Sequence, residues 1–148
     1  MVKILVIGSG AREHAIIKSL NKSKKEKEIY CLASNNNPGI SDICNELKIV
    51  DINNSEIIKD YSIKQSINIA IIGPENPLAY GVADSLWGAG IGVIGPKKNL
   101  AQIETSKSFT RNLLREYKIP GCPKFKTFTN MEGVKDFLSI LGENYVVK

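Results

Sequence analysis

Two glycines follow the first apolar segment of the chain with the spacing of a phosphate-binding turn. The apolar run Val2–Ile7 leads into Gly8 and Gly10, and a helical pattern begins immediately afterwards. Glycines at such a turn let backbone N–H groups face a ligand, and the N-terminus of the following helix favours an anion. We therefore expect an anion to bind at this turn.

Two features distinguish this turn from one that binds a dinucleotide. The third glycine of a dinucleotide turn would fall at position 13, where this chain has Glu13, and the acidic residue expected after the second strand is replaced by Ser34 and Asn35. A phosphate carried by an amine-bearing sugar fits better, because Arg12 supplies positive charge and Glu13 accepts hydrogen bonds from a hydroxyl or an amine. The alternative is that Arg12 and Glu13 are surface charges of the first helical turn.

A second loop, GPENPL, begins at the end of the apolar run Ile67–Gly73 and contains residues that could bind a ligand. Pro74 and Pro77 make this loop rigid. Glu75 stands between them at the carboxyl end of a strand, where its carboxylate is an acceptor for an amine or for ribose hydroxyls. The alternative is that Glu75 caps the next helix, although Asn76 is better suited to that role.

The elements that must position these loops alternate regularly over about the first 95 residues. The strand predictions are Val2–Ile7, Glu28–Ser34, Leu47–Val50, Ile67–Gly73 and Ile91–Gly95; the helix predictions are Arg12–Leu20, Ser55–Lys64 and Leu78–Ala89, the last ended by Gly90; and Asn35–Gly39 is a predicted turn. This alternation predicts an α/β fold with a five-stranded, parallel, doubly wound sheet of the Rossmann-like kind. Ligands of such sheets bind at the carboxyl ends of the strands, where both loops lie.

The pattern changes after about residue 100. A charged amphipathic helix is predicted at Ile103–Tyr117, a strand at Lys124–Phe128, a helix at Met131–Leu141 and a strand at Asn144–Lys148. We divide the chain into a first domain, 1–102, and the truncated beginning of a second, 103–148, which is too short to bury its own core. We expect this second part to pack against another copy in a dimer, or else to be the most mobile part of the chain, because its strands lack their sheet.

Composition argues against several classes of function. The net charge is +5, but the densest charged run, Asn21–Glu28, mixes both signs, so we expect no nucleic-acid partner. Three widely spaced cysteines and a single histidine, His14, argue against a zinc site or a disulfide framework. No apolar run approaches about 18 residues and no signal segment precedes the first strand, which predicts a cytoplasmic protein without a membrane partner.

The stretches VIGSGAREHA and GPENPLAYGVAD together resemble the phosphoribosylamine–glycine ligases (glycinamide ribonucleotide synthetases), whose sequences open with GxGGREHA and carry a GPExPL loop. The stretch from Ile91 to Pro120 resembles the segment that leads into their ATP-grasp domain, and YVVK resembles the start of the nucleotide pocket. The resemblance covers essentially all 148 residues. Ala11 departs from the family pattern, which usually has a second consecutive glycine at this place.

The resemblance implies an ATP-dependent reaction in which glycine is activated as an acyl phosphate and attacked by the amine of 5-phosphoribosylamine. It implies substrate contacts from Gly8, Gly10, Arg12, Glu13, Glu75 and Asn76, and contacts to the ATP phosphates from Lys107 and Lys148. The ligands of Mg²⁺ are expected beyond residue 148, and no turnover is expected from this part of the enzyme alone.

Two other functions stay open on the sequence. One is a different ATP-grasp ligase, such as a biotin carboxylase or a formate-dependent ribonucleotide transformylase, which begins with a similar glycine-rich turn. The other is a non-catalytic nucleotide-binding module of the Rossmann type. The combination of REHA with GPExPL argues against the first, and Glu13 argues against the dinucleotide that the second would bind.

Overall fold

The computed structural model describes residues 1–147, which divide into two compact units, one from Met1 to Thr105 and one from Ser106 onward. The strands of the first unit are β1 (Val2–Ile7), β2 (Lys27–Ala33), β3 (Glu46–Ile49), β4 (Ile69–Ile72) and β5 (Gly92–Ile94), and its helices are α1 (Ala11–Asn21), α2 (Pro38–Ser41), α3 (Ser55–Lys64), α4 (Glu75–Ala79), α5 (Val82–Gly88) and α6 (Lys98–Thr105). All strand pairs are parallel, in the order β3-β2-β1-β4-β5. The predicted five-stranded, parallel, doubly wound α/β fold is confirmed.

The central strand β1 is buried on both faces. Leu5 and Ile7 belong to a core cluster that includes Ile58 of α3 and Leu86 of α5, whereas Val6 belongs to a second cluster that includes Ile17 of α1. Burial on both faces explains why the strand is apolar without alternation. Because every strand runs in the same direction, the loops that follow the strands meet at one edge of the sheet.

Glu13 occupies the place where a third glycine normally lets the first helix approach the sheet. Its side chain is buried, with only 4% of the residue exposed, and Oε2 accepts a hydrogen bond from the Gly10 N–H at 2.6 Å. Two other glycines provide the space. A Cβ at Gly8 would lie 2.8 Å from Glu13 Cγ, and a Cβ at Gly73, just after β4, would overlap Glu13 Oε1. Gly73 thus supplies the close approach that the missing glycine would have given.

Two predicted elements of the first unit differ from the observed ones. The predicted turn Asn35–Gly39 passes into the short helix α2, because Asn37 caps its N-terminus and a proline occupies its first position. The predicted helix Leu78–Ala89 forms the last part of α4 and the whole of α5, separated at Gly81, whose φ of 80° is incompatible with a continuous helix. The predicted end of this segment is confirmed, since Gly90 has the positive φ, 78°, of a residue that follows a helix.

The second unit contains two helices, α7 (Lys107–Glu116) and α8 (Val134–Leu141). The predicted continuous helix Ile103–Tyr117 is interrupted at Ser106, whose Oγ accepts a hydrogen bond from the Phe109 N–H at 3.3 Å and so begins a new helix. None of the helices formed by residues 1–147 is long and apolar enough to cross a membrane.

The two strands predicted in the second unit are wrong as far as the structure describes them. Residues 124–128 and 144–147 have no regular secondary structure, and Lys148 lies outside the described residues. A strand requires a neighbour with which to exchange backbone hydrogen bonds, and no segment within residues 1–147 pairs with either stretch. Val146 and Val147 are exposed.

Replacing Gly73 with alanine is expected to destabilise the protein by about 1–3 kcal/mol, because the new methyl group overlaps the buried Glu13 carboxylate. In a Glu13→Ala background the same replacement should cost much less, which gives a coupling energy of similar size. Chemical denaturation of the single and double variants measures this coupling.

Gly92→Ala is the matched control, since a Cβ at Gly92 meets no atom closer than 3.5 Å. Its effect should be the same with and without Glu13. Equal costs of Gly73→Ala in the two backgrounds would show that Glu13 does not pack against Gly73.

Candidate functional site

A cavity of about 470 Å³ opens at the carboxyl edge of the sheet in the first unit. It is walled by residues from the loops after the first four strands, namely Gly8, Ser9, Gly10, Ala11, Arg12, Glu13, Ser34, Ile52, Asn53, Pro74, Asn76 and Pro77. Of the six substrate contacts predicted in the first unit, all but Glu75 line this cavity. The glycine-rich turn and the GPENPL loop therefore meet at this cavity.

The N-terminus of α1 forms the electropositive side of the cavity. The helix is preceded by Gly10, which has no side chain to accept hydrogen bonds from the N–H groups of the first turn, and the Gly10 N–H itself bonds to Glu13. The N–H groups of a first turn have no acceptor within their own helix, and the helix dipole adds positive potential there. Arg12 lies in the same turn with 66% of its side chain exposed, so its guanidinium is accessible to an anion.

Side chains from the β2–α2 connection hold the glycine-rich turn in place. Asn37 Nδ2 donates to the Ser9 carbonyl oxygen at 2.9 Å, and the hydroxyl oxygens of Ser9 and Ser34 lie 3.3 Å apart. The His14 ring packs closely on Gly39 of α2, since a Cβ there would lie 2.5 Å from His14 Cε1. His14 therefore fixes α1 against α2 and does not line the cavity.

The turn is also held from the core side by a thiol. Cys31 Sγ donates to the Gly8 carbonyl oxygen at 3.3 Å. The neighbouring Cys44 thiol, together with burial, raises the pKa of Cys31 above its ordinary value. Cys31 is consequently protonated at neutral pH and able to act as a donor.

The second loop brings a carboxylate to the rim of the cavity. Helix α4 begins at Glu75, and the residue before it is Pro74, whose extended backbone ends the loop. Neither Glu75 nor Asn76 caps this helix, because Pro74 occupies the N-cap position. Glu75 Oε2 is 3.8 Å from Arg12 Nη2, and 47% of the Glu75 side chain is exposed. Because both side chains are exposed, the pair contributes little to stability and each group is accessible to a ligand.

Two buried side-chain oxygens, Glu13 Oε1 and Asn53 Oδ1, have no hydrogen-bond partner among residues 1–147, and both residues line the cavity. Sequence reasoning missed Asn53, which follows β3 in the segment DINN. Its neighbour Asn54 has an ordinary structural role, since Asn54 Oδ1 accepts from the Glu56 N–H at 3.1 Å at the start of α3. An asparagine at the carboxyl end of a strand, just before the residue that caps the next helix, is the signal that would have identified it.

The predicted ATP-phosphate contacts belong to the second unit. Lys107 is the first residue of α7 and is exposed, while Lys148 lies outside the described residues. Within residues 1–147 there is no group of three or more histidine, cysteine, aspartate or glutamate side chains arranged to hold a metal ion.

A second cavity, of about 480 Å³, lies within the second unit. Its lining combines apolar and basic side chains, Leu114, Arg115, Lys118, Ile119, Cys122, Pro123, Lys124, Phe125 and Phe137. None of the predicted site residues lines it. We therefore take the cavity of the first unit as the candidate site.

Two solved structures with the same fold cover nearly all of this chain. A phosphoribosylglycinamide synthetase from Anaerococcus prevotii matches 94% of this chain and 34% of its own, with a TM-score of 0.62 and 14% identity. An N5-carboxyaminoimidazole synthetase from Staphylococcus aureus, solved in complex with ADP, matches 95% of this chain and 36% of its own, with a TM-score of 0.71 and 13% identity. At these identities the likeness shows the fold alone.

Sequence comparison is more specific. A phosphoribosylamine–glycine ligase from Methanosarcina barkeri is 44% identical over 142 residues, which are 96% of this chain and 33% of that protein, so the chain spans about a third of the length of this curated relative. The family model described as phosphoribosylglycinamide synthetase, N domain, matches residues 2–104. The glycine-rich turn, Glu13 and the GPENPL loop all lie within that match, and the chain belongs to the phosphoribosylglycinamide synthetase N-domain family.

Proposed function

We propose that this chain is the sugar-phosphate-binding part of an ATP-dependent ligase that joins glycine to 5-phosphoribosylamine, giving glycinamide ribonucleotide, ADP and phosphate in purine biosynthesis. Membership of the family supports the reaction. The division into a first domain, 1–102, and the beginning of an ATP-grasp domain, 103–148, is part of the same proposal. So is a cytoplasmic location, in which the three free cysteines stay reduced.

The observation that carries the proposal is the distribution of charge around one cavity. The N-terminus of α1 and Arg12 offer donors and positive potential, whereas Glu13 and Glu75 offer carboxylates. Phosphoribosylamine has the matching order of groups, with a phosphate at one end, hydroxyls between and an amine at the other end. A dinucleotide fits less well, because Glu13 takes the place of the glycine that its pyrophosphate site requires.

The proposed role of these residues is to hold and orient the sugar phosphate. The phosphate binds to the N–H groups of the first turn of α1, where Arg12 neutralises part of its charge. Glu75 accepts a hydrogen bond from the amine and thereby directs its nitrogen. ATP supplies the phosphoryl group that activates the glycine carboxylate. A fixed orientation of the amine lowers the barrier, because the entropy of bringing the two reactants together is lost on binding rather than in the reaction.

The nucleotide belongs to the second unit in this proposal. Lys107 and Lys148 are assigned to the ATP phosphates on the family resemblance, and the structural neighbour solved with ADP supports the use of an adenine nucleotide. Lysine suits this role as a compact positive charge. The Mg²⁺ ligands are assigned to residues beyond 148.

Ribose 5-phosphate, a stable analogue of the proposed substrate, should bind to this chain at the glycine-rich turn. Arg12→Ala is expected to weaken binding about tenfold, the lower end of the roughly 1.5–3 kcal/mol that a hydrogen bond to a charged group contributes, because Arg12 is exposed. Isothermal titration calorimetry at constant ionic strength measures the change. Lys22→Ala removes the same charge at the opposite end of α1 and should have little effect. Tight binding of NAD with no binding of ribose 5-phosphate would refute the proposal.

Glu75→Gln should separate recognition of the amine from recognition of the phosphate. In a ligase that carries this chain as its amino-terminal part, the KM for phosphoribosylamine should rise about ten- to a hundredfold, while the KM for ATP stays the same. Binding of inorganic phosphate to the present chain should be unchanged or slightly stronger, because the substitution releases Arg12 from its ion pair. An unchanged KM for the amine substrate would remove Glu75 from the site.

A further inference from the structure

We propose that Cys31 and Cys44 form a reversible disulfide, and that this disulfide removes the hydrogen bond that holds the glycine-rich turn (residues 8–12) from the core side. The pair would then be a redox-sensitive modification site inside the first unit. Its effect on a ligand rests on the proposed function, whereas the formation of the disulfide and the loosening of the turn do not.

The first support is the placement of the two cysteines on one face of the sheet. Cys31 is a residue of β2 in the core cluster that also includes Ile17 of α1, and Cys44 packs against the same cluster. Cys44 directly precedes the point where the chain joins the sheet beside β2, since the Asn45 N–H donates to the Ile29 carbonyl oxygen and Asn45 Oδ1 accepts from the Ile29 N–H, both at 2.8 Å. Cys31 follows Ile29 by two residues, so the two side chains lie on the same face of the strand.

The second support is the effect of one thiol on the other. The Cys44 thiol, together with burial, raises the pKa of the Cys31 thiol, and such an effect requires the two side chains to be close. Both cysteines are free, so neither is already part of a disulfide. Cys31 is fully buried whereas Cys44 is partly exposed, so a reagent in solution reaches Cys44 first.

The arrangement favours thiol–disulfide exchange in two steps, with a low-molecular-weight disulfide as the oxidant. The Cys44 thiolate attacks one sulfur of the reagent, forms a mixed disulfide and releases the other half of the reagent as a thiol. The Cys31 sulfur then attacks the Cys44 sulfur and displaces the remaining half, which leaves as a second thiol with the Cys31 proton. The protein pair loses two electrons and two protons, and the reagent gains both. An excess of reducing thiol reverses the two steps.

Oxidation changes the contact between Cys31 and the turn. In the reduced chain Cys31 Sγ donates to the Gly8 carbonyl oxygen at 3.3 Å. A sulfur in a disulfide carries no proton, so the Gly8 carbonyl loses this donor. The Gly8 N–H keeps its bond to the Leu32 carbonyl oxygen at 2.9 Å, so the turn is loosened without being detached from β2. The N–H groups proposed to bind phosphate follow Gly8 directly, and their orientation is less well fixed in the oxidised chain.

Mass spectrometry of the full chain tests formation of the disulfide, with oxidised glutathione as the probe. No lysine or arginine separates Cys31 from Cys44, so one tryptic peptide contains both, and this peptide should lose two hydrogen atoms and regain them with dithiothreitol. Cys122→Ser is the matched control, because Cys122 lies in the second unit, and it should give the same product. Cys44→Ser should form no internal disulfide. A glutathione adduct that persists on Cys44, or a link through Cys122, overturns the proposal.

Hydrogen exchange tests the loosening of the turn. The amides of residues 8–12 should exchange about two- to tenfold faster in the oxidised chain, the effect of losing one neutral hydrogen bond. Cys31→Ala should give a similar increase without oxidant because it removes the same donor, and Cys31→Ser should give a smaller one because its hydroxyl can donate. Ribose 5-phosphate should bind the oxidised chain more weakly by a similar factor in titration calorimetry.

Each other outcome contradicts the inference in a recognisable way. Unchanged exchange of the turn in the oxidised chain overturns the link between the disulfide and the turn. Faster exchange in the oxidised chain but not in Cys31→Ala shows that the lost donor is not the cause. Faster exchange throughout the first unit shows general unfolding and overturns the switch. If the reduced chain binds no ribose 5-phosphate, the proposed function fails, while the mass and exchange measurements still decide this inference.

Discussion

The site depends on one packing constraint, the burial of a carboxylate where a glycine would be expected. Glu13 fits between helix and sheet because Gly8 and Gly73 have no side chains, and it caps its own helix through the Gly10 N–H. One residue thereby fixes the turn after β1 against the end of β4. The ion pair between Arg12 and Glu75 follows from that arrangement, since these residues extend from the two segments that Glu13 holds together.

The candidate site is organised at a cost in stability. A buried acceptor without a partner among residues 1–147 costs roughly 1–3 kcal/mol, and Glu13 and Asn53 each provide one. The two core clusters offset this, because they bury the central strand on both faces and enclose large apolar side chains such as Leu5 and Ile17.

The fold was predictable because its signals are local. Continuous apolar runs separated by glycine, proline and asparagine predict the five strands, and parallel strands bring both loops to one edge. The burial of Glu13 was not predictable, since it depends on Gly73, which is distant in the sequence and adjacent only in the sheet. The strand predicted at Lys124–Phe128 failed for a related reason, because local propensity cannot show whether a partner strand is present. The glycine-rich turn and Glu75 belong to recognisable motifs, whereas Asn53 is marked only by its place just before Asn54, the residue that caps α3.

Strand order explains how Asn53 reaches a cavity centred on β1. In the order β3-β2-β1-β4-β5, the chain leaves β3 at one edge and must pass over β2 and β1 before it pairs β4 with β1. The crossover begins with Ile52, which is buried in the same core cluster as Ile7, so the loop after β3 is drawn toward the centre of the sheet. From β1 the chain first adds β2 and β3 on one side and then adds β4 and β5 on the other side. The ligand crevice of a doubly wound sheet opens where the strand order reverses in this way. Asn53 is thus carried to the crevice by the connection that completes the sheet, and Glu13 reaches it from the first turn of α1.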